Sequence, residues 1–291
     1  MHRVEKMPYY SCGMLNYSKN QSTNPFNDTK NQDKFVQKTS TNPFNNEKEN
    51  KYQKDFDEDF RNIELFLKRT KHELTKGTIT SIISDATLEA GALVSGFLYD
   101  KKLPKNSFLL INKGKKSIKT LDEDKNLLMD TDIKNGDISK IKLYKNDYNY
   151  EIEFQNKKIT DRLFNNNKLT LKQFKKFNKD GSLVEQIKYS KSGKIESYLL
   201  NEDDLTKEFL FDTSQYALNS DFVPICYNQY KNNAKTKSLK YSYALPTLYK
   251  EYDETTSKIT KIFKLQGLKP KVYKYSFFNS LNGNLITSGT I

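Results

Sequence analysis

The sequence predicts an α+β protein with three parts: a disordered N-terminal arm (1–52), a helical hairpin (53–102) and a largely antiparallel β-meander (103–291). Three observations support this prediction. The arm is polar and lacks an apolar pattern. The next fifty residues place apolar side chains at helical spacing. The remainder repeats a sequence motif: an aromatic residue, three or four turn-forming residues and an aliphatic residue. Its copies are separated by the length of one strand plus one tight turn.

The composition agrees with a chain that is only partly packed. Only 35% of the 291 residues are hydrophobic, and Lys and Asn are abundant. The chain has no Trp but has 19 Tyr and 18 Phe. Aromatic side chains pack well on strands, so we expect them to supply much of the core of the sheet.

The arm contains an internal repeat, because Ser-Thr-Asn-Pro-Phe-Asn occurs at 22–27 and again at 40–45. Each copy carries an Asn-Pro-Phe tripeptide, in which Asn and Pro favour a turn that projects the Phe. These tripeptides resemble the ligand motif of EH domains, which implies a protein partner, and two copies on one tether would raise avidity. The alternative is a chance duplication in an Asn-rich tract. The candidate protein-binding residues are Asn24, Pro25, Phe26, Asn42, Pro43 and Phe44.

The first predicted helix covers 54–75. Its apolar residues are spaced by four, three, four and seven positions, which is the spacing of one helix face. Acidic residues crowd its first turn and basic residues its end, a polarity that complements the helix dipole. Gly77 is expected to end it. The apolar positions are Phe56, Phe60, Ile63, Leu67 and Leu74.

The second predicted helix covers 78–99 and is the least polar stretch of the chain. Its stripe includes small residues such as Ala90 and Gly91, which would permit close approach of a neighbouring helix. A membrane-inserting segment is one interpretation, but Asp85 and Glu89 interrupt the run and leave no uncharged span of 18 residues. Packing against the first helix or the sheet is the alternative that we favour.

From residue 105 onward the pattern is that of strands. Tyr148, Tyr150, Ile152 and Phe154 alternate with polar residues. The repeated motif then occurs as Phe177-Asn-Lys-Asp-Gly-Ser-Leu183 and Tyr189-Ser-Lys-Ser-Gly-Lys-Ile195. We therefore expect strands at 168–177, 182–189 and 194–200, paired antiparallel in sequence order. Residues 201–247 are less regular and predict a loop or a topological break.

This motif resembles the MORN-variant repeats of YwqK-type proteins and the β-hairpin repeats of Rhs-type proteins, over about residues 150–200. The resemblance implies a repetitive sheet used for protein contacts, with no catalytic residues to carry over. The Gly of such repeats is missing after Phe154 and Phe164, where Asn and Lys replace it. The alternative is an ordinary antiparallel sheet, since its hairpins would show a similar sequence motif.

The formal net charge is +13, and residues 104–291 hold 33 basic and 22 acidic groups. Lys-rich strands with interleaved aromatics suit phosphate contact and base stacking. Lysines on edge strands also discourage aggregation, and Lys and Asn can be enriched by nucleotide bias alone. The densest basic cluster, and the candidate nucleic-acid site, is Lys172, Phe174, Lys175, Lys176, Lys179 and Lys188.

The sequence gives no basis for catalysis. With only His2 and His72, a His/Cys metal site or a His-based triad is nearly excluded. No acid–base pair, phosphate loop or cofactor motif is found, so no cofactor or metal is expected. No signal peptide is readable, and a cytosolic location is the default.

These observations favour a non-enzymatic protein-binding protein that uses the sheet as a docking surface and the arm as a tether. One alternative is a basic nucleic-acid-associated protein. The other is a membrane-active or host-directed effector that uses residues 78–98 and the two Asn-Pro-Phe tripeptides. A protein partner is therefore expected first, nucleic acid second and a membrane third.

Overall fold

The structure is a computed structural model that describes residues 46–155, 170–214, 222–267 and 271–290, with side chains from residue 51 onward. Residues Tyr52–Ile291 form one compact unit. The helices are α1 (Asn46–Lys76) and α2 (Thr78–Ser95), followed by a π-helical segment (Gly96–Asp100). The strands are β1 (Ser107–Asn112), β2 (Lys115–Leu121), β3 (Leu127–Lys134), β4 (Asp137–Tyr144), β5 (Asn149–Phe154), β6 (Leu171–Phe177), β7 (Leu183–Tyr189), β8 (Ile195–Glu202), β9 (Leu205–Phe211), β10 (Pro224–Lys231), β11 (Ala234–Ser242), β12 (Leu245–Tyr252), β13 (Ile259–Gln266), β14 (Lys271–Phe278) and β15 (Leu285–Thr290).

The described strands form one fifteen-stranded antiparallel sheet in which each strand pairs with its neighbours in sequence. The predicted α+β class with an antiparallel meander is confirmed. So is the antiparallel pairing of β6, β7 and β8, which are the strands expected at 168–200. Gly181 and Gly193 lie in the two intervening turns at φ +87° and +83°, a conformation that side chains with a Cβ adopt poorly.

The break expected within 201–247 was wrong, because β8 to β12 continue the meander through the described residues. The Lys- and Asn-rich run at 231–237 contains a two-residue turn between β10 and β11, and its remaining residues belong to those two strands. Its residues Asn232 and Asn233 take φ values of 50° and 66°, as a tight hairpin turn requires. Asn tolerates this conformation through its short polar side chain, so the run favours a hairpin rather than a loop.

The predicted helical hairpin was also wrong, because α2 continues onward from α1 instead of folding back. Only Gly77 separates them, in an extended conformation. A Cβ at Gly77 would come within 2.5 Å of the Glu73 Cα, so the turn has room only for glycine. The Thr80 hydroxyl donates to the carbonyl of Leu74 at 3.2 Å and thereby satisfies a carbonyl at the end of α1. In addition, α1 begins at Asn46, inside the range assigned to the arm.

The core of the sheet is one unbroken row of cross-strand partners, which we call the central row. It contains one residue from each described strand, and its twelve members from Ile118 to Phe263 are at most 2% exposed. Neighbours in this row stack as cross-strand pairs, which is the main way in which side chains stabilise a sheet. The central row is Leu109, Ile118, Thr131, Ile141, Ile152, Phe174, Ile187, Tyr198, Phe209, Tyr227, Leu239, Tyr249, Phe263, Tyr275 and Gly289.

Helix α1 lies across the C-terminal half of this row. The ring of Tyr52 is 4.7 Å from that of Phe277 on β14. One turn later, the Phe56 ring is 5.5 Å from Tyr249 on β12 and 6.2 Å from Phe263 on β13.

Further along α1, the Phe66 ring packs 5.3 Å from Phe209 on β9 and 5.9 Å from Tyr198 on β8. Helix α2 continues over the N-terminal strands and contacts β4. Its end, at Leu93, borders a cavity that is also lined by Thr120 of β2. The helix therefore passes the strands in reverse sequence order.

The lengths of the helix and the sheet agree. Tyr52 and Leu93 are 41 residues apart, which corresponds to about 62 Å of α-helix. From β14 to β2 there are twelve strand intervals, or about 58 Å. Each strand therefore meets a new segment of the helix roughly every three residues. The apolar residues of the helix recur every three or four positions because an α-helix has about 3.6 residues per turn, and this period brings successive residues of its buried face to successive strands.

By length and composition alone, the helical stretch Lys51–Asp100 could cross a membrane, since one 18-residue window averages a hydropathy of 1.2. Only 22% of that window is buried. The buried residues of α2 nevertheless form one stripe on the core, as expected for a helix packed on the sheet. They are Ile79, Ala86, Ala90, Leu93 and Val94. The small residues Ala86 and Ala90 thus allow close approach to strands, not to a second helix.

Two leucines of α2 test this packing with one substitution. Leu93 is buried, whereas Leu88 is 74% exposed. Leu93→Asp should lower the free energy of unfolding by about 3 kcal/mol or more, because it places an unpaired charge in the core. Leu88→Asp should change it by less than about 0.5 kcal/mol. Urea unfolding monitored by circular dichroism gives both values, and equal losses would contradict the packing of α2 on the sheet.

Candidate interaction surfaces

The described part of the chain presents a cleft beside α1, two faces of one sheet and two edge strands. It contains no group of three or more His, Cys, Asp or Glu residues that could hold a metal ion. The six Asn-Pro-Phe residues, Asn24, Pro25, Phe26, Asn42, Pro43 and Phe44, lie outside the described residues, so their role stays a prediction.

A polar cleft runs beside α1 where the helix crosses β8 to β11. Its volume is about 460 Å³. Asp59 lies at one end, where its carboxylate accepts hydrogen bonds from Lys237 at 2.5 Å and from the Tyr249 hydroxyl at 2.6 Å. At the other end, Glu202 pairs with Arg69 at 3.2 Å and with Lys207 at 2.8 Å. These charged groups pair with one another across the cleft, and the pairs Asp59–Lys237 and Arg69–Glu202 join the helix to the sheet.

Beneath the helix, Glu185 is a buried carboxylic acid with an exposed fraction of 6%. The Tyr198 hydroxyl donates a hydrogen bond to its Oε1. Burial raises the pKa of Glu185, and the Tyr198 hydrogen bond and Lys176 oppose that rise only in part. On the opposite face, burial also acts to raise the pKa of Glu153, but hydrogen bonds from Lys140, Lys172 and Gln173 prevail and lower it to about 2.

The face of the sheet away from the helix, here called the outer face, is charge-matched over β2 to β6. Lys119 lies 3.3 Å from Asp130. Lys140 lies 3.1 Å from Glu151 and 3.0 Å from Glu153. Because lysines and acids alternate along two rows of cross-strand partners, this half of the face carries little net charge.

The basic cluster identified from the sequence does not form one surface. Phe174 belongs to the central row and is fully buried, so its ring cannot stack on a base. Lys172 pairs with Glu153 at 3.0 Å, and Lys175 lies 3.9 Å from Glu151. Lys188 lies on the outer face with Lys175.

The other two lysines of that cluster point elsewhere. The Lys176 ammonium lies 4.0 Å from the centre of the Tyr148 ring, on the side of the sheet that holds the helix. Lys179 donates hydrogen bonds to the Lys145 carbonyl and to Asn149. The nucleic-acid role of these lysines stays a prediction.

A different lysine set, which no local sequence pattern indicates, lies on the outer face of β11 to β14. It consists of Lys240, Lys250, Lys264 and Lys274. Lys264 and Lys274 are direct cross-strand partners, an arrangement of like charges that is unfavourable. Within these four strands the single acidic residue is Glu251, which lies on the helix side, 2.7 Å from Lys261. Only strand register reveals this set, because the four lysines are spread over 35 residues of sequence.

The two edge strands differ from the strands between them. Among the fifteen described strands, β1 (Ser-Phe-Leu-Leu-Ile-Asn) and β15 (Leu-Ile-Thr-Ser-Gly-Thr) alone carry no charged residue. Both expose large apolar side chains: Phe108 (43%), Leu110 (42%) and Ile111 (63%) on β1, and Leu285 and Ile286 on β15. Natural sheets usually protect their edges with charges, so this pattern is the reverse of the common one.

Comparisons with known proteins add no family. No protein-family model and no curated protein matches the chain. Among solved structures, TarM is similar at 14% identity and a TM-score of 0.18, over 45% of this chain and 20% of TarM. A porin-like protein from Bacteroides uniformis is similar at 6% identity and a TM-score of 0.17, over 63% of this chain and 91% of that one. At these scores the likeness carries no argument about function, and the chain spans a fifth of TarM.

The buried acid gives a pH prediction. Because the pKa of Glu185 is raised in the folded state, its contribution to stability is present below its unfolded pKa, near 4.5, and is lost as the pH rises through its folded pKa. Glu185→Gln should therefore increase the free energy of unfolding at pH 7, while Gln still accepts the Tyr198 hydrogen bond. The gain should vanish near pH 4, as measured by urea unfolding across pH.

Glu153→Gln is the matched control, because its shift has the opposite sign. The pKa of Glu153 is lowered to about 2, so its stabilising contribution is present above pH 4.5 and disappears as the pH falls toward 2. This variant should be less stable than the parent at pH 7. If both substitutions changed the free energy of unfolding at pH 7 in the same direction, the environments assigned to Glu185 and Glu153 would be wrong.

Proposed function

We propose that this protein is a non-enzymatic interaction protein that binds a partner through the open edge of its sheet. The observation that carries the proposal is that the two edge strands alone, among the described strands, are uncharged and expose large apolar side chains. An open edge presents unpaired backbone N–H and C=O groups, on which a partner strand can form a ladder of hydrogen bonds. Exposed apolar side chains then add affinity and select the partner.

The rest of the sheet supports this role. Each inner strand is paired on both sides, and the helix covers the central row, so the interior is complete without a partner. Adding a strand at an edge would extend an existing ladder and would require no rearrangement of the core.

Site-specific photo-cross-linking tests the proposal. A photoreactive residue at Ile111 or Ile286 in the full chain, expressed in its own host, should trap one dominant protein. The same group at Leu88, which is similarly exposed but lies on α2, should not. Ile111→Lys should abolish trapping from a second photoreactive residue at Leu110, since a charge disfavours pairing at the edge. Equal trapping at Leu88 and Ile111 would count against edge binding.

A second candidate function is binding of a polyanion such as single-stranded nucleic acid, and the outer-face lysine set favours it. Lys240, Lys264 and Lys274 lie in one row of cross-strand partners over β11 to β14, and no acidic residue of those four strands shares their face. Repeated phosphates would relieve the repulsion between Lys264 and Lys274, as Asp130 neutralises Lys119 and Glu153 neutralises Lys140 in the other half of the outer face.

Oligonucleotide binding at several NaCl concentrations tests this second function. The double variant Lys264→Ser/Lys274→Ser should reduce the slope of log K against log [salt] by about 1.4, since each phosphate contact to a single strand contributes about 0.7. The control Lys172→Ser/Lys175→Ser removes lysines that are paired with Glu153 and Glu151 and should leave the slope unchanged. The reverse result would place the site at the cluster identified from the sequence, and an absence of salt-dependent binding would eliminate both.

A further inference from the structure

Among the described strands, β1 pairs only with β2, and the hydrogen-bond pattern shows which backbone groups of β1 face its other side. The Leu121 amide donates to the Asn106 carbonyl at 2.9 Å across β1 and β2. Because hydrogen-bonded pairs alternate along an antiparallel ladder, Phe108 and Leu110 also point their backbone groups at β2. Ser107, Leu109 and Ile111 therefore direct theirs to the open side.

Of these outward groups, the Ser107 amide is already used, since it donates to the Pro104 carbonyl at 2.9 Å. The amides of Leu109 and Ile111 and the carbonyls of all three residues face the open edge. Leu109 is also the member of the central row that β1 contributes.

Edge β15 is less suited to pairing. Its register with β14 shifts between Phe277 and Phe278, and such a bulge hinders strand addition, whereas β1 and β2 pair without a shift. Its central-row residue, Gly289, is covered by the Tyr275 ring, because a Cβ there would lie 2.5 Å from the Tyr275 hydroxyl. The Tyr275 ring thus covers the β15 end of the central row, whereas at the β1 end no described strand lies beyond Leu109.

We propose that β1 pairs with β1 of a second copy of this chain about a twofold axis perpendicular to the sheet, with Leu109 opposite Leu109; this inference rests on the proposed function of the edge. A twofold axis in this direction makes the two strands antiparallel and keeps both helices on the same face. Pairing β1 with β15 of a translated copy would instead be parallel, since both are odd-numbered strands of one meander.

The register is self-complementary. Centring on Leu109 places Phe108 opposite Leu110 of the second copy, and Ser107 opposite Ile111, so that no charge enters the paired strands. Each Leu109 amide donates to the other Leu109 carbonyl, and each Ile111 amide donates to the Ser107 carbonyl of the other copy. On the outer face, Phe108 and Leu110 of both copies form one apolar cluster of aromatic–aliphatic pairs.

The dimer should be weak, because two six-residue strands bury less area than a standard stable interface. Just beyond the paired strands, Lys105 of one copy approaches Lys113 of the other, so added salt should strengthen the dimer. Salt should weaken binding to a polyanion, and this opposite sign separates the two events.

Sedimentation of the full chain between about 1 and about 500 µM tests the inference, since a weak dimer would dissociate in this range. Ile111→Pro removes an outward amide and no bond to β2, and should raise the dissociation constant at least about tenfold. Leu88→Ser, which removes an equally exposed aliphatic side chain elsewhere, should leave it unchanged.

Disulfide trapping tests the register in a Cys12→Ser background. Leu109→Cys should form a cross-linked dimer on mild oxidation, because the two copies meet at this residue, whereas Phe108→Cys should not. A monomer at all concentrations, or a dimer unaffected by Ile111→Pro, would overturn the inference. If the chain is monomeric yet Ile111 still traps a different protein, the twofold dimer is wrong and edge binding stands. If the chain is monomeric and Ile111 traps no protein, both the twofold dimer and edge binding are wrong.

Discussion

The structure depends on the match between two repeats: the rise of an α-helix and the spacing of antiparallel strands. The sheet has a single layer, so its central row is shielded from water on one side by one helix alone. The helix can cover the row because about three helical residues advance as far as one strand. A residue inserted into the helix would displace every later side chain by about 100° around its axis, whereas a change in a hairpin turn affects only its own strands.

The two halves of the row use different side chains for this purpose. Under α1 the row is mainly aromatic, and Phe56 and Phe66 insert between rings from neighbouring strands. Under α2 the row is mainly aliphatic, and the helix contributes Ala86 and Ala90. Large rings on both partners keep the helix farther from the sheet, whereas alanine allows the backbones to approach. The glycine break at Gly77 lies near the change from one arrangement to the other.

Much of the fold could be predicted from the sequence because its signals are local. Turn residues and alternation located most strands, and helical spacing located both helices. The direction of α2 could not be predicted, since Gly77 suits a tight reversal as well as a kink, and only contacts with distant strands decide between them. The surfaces were harder still, because Lys264 and Lys274 become neighbours only once register is known. The absence of charge in β1 was visible in the sequence, but its meaning depended on β1 lying at an edge.

The chain order of the helix and sheet also governs biosynthesis. The helix leaves the ribosome before any strand, and Tyr52 contacts residues about 220 positions later. Each new hairpin can cover only the next segment of the helix, beginning at α2 and ending at the start of α1. Phe56 and Tyr52 therefore stay uncovered until translation is nearly complete. The nascent chain carries an exposed aromatic stripe for most of its synthesis, which makes it a natural substrate for chaperones that bind apolar segments at the ribosome exit.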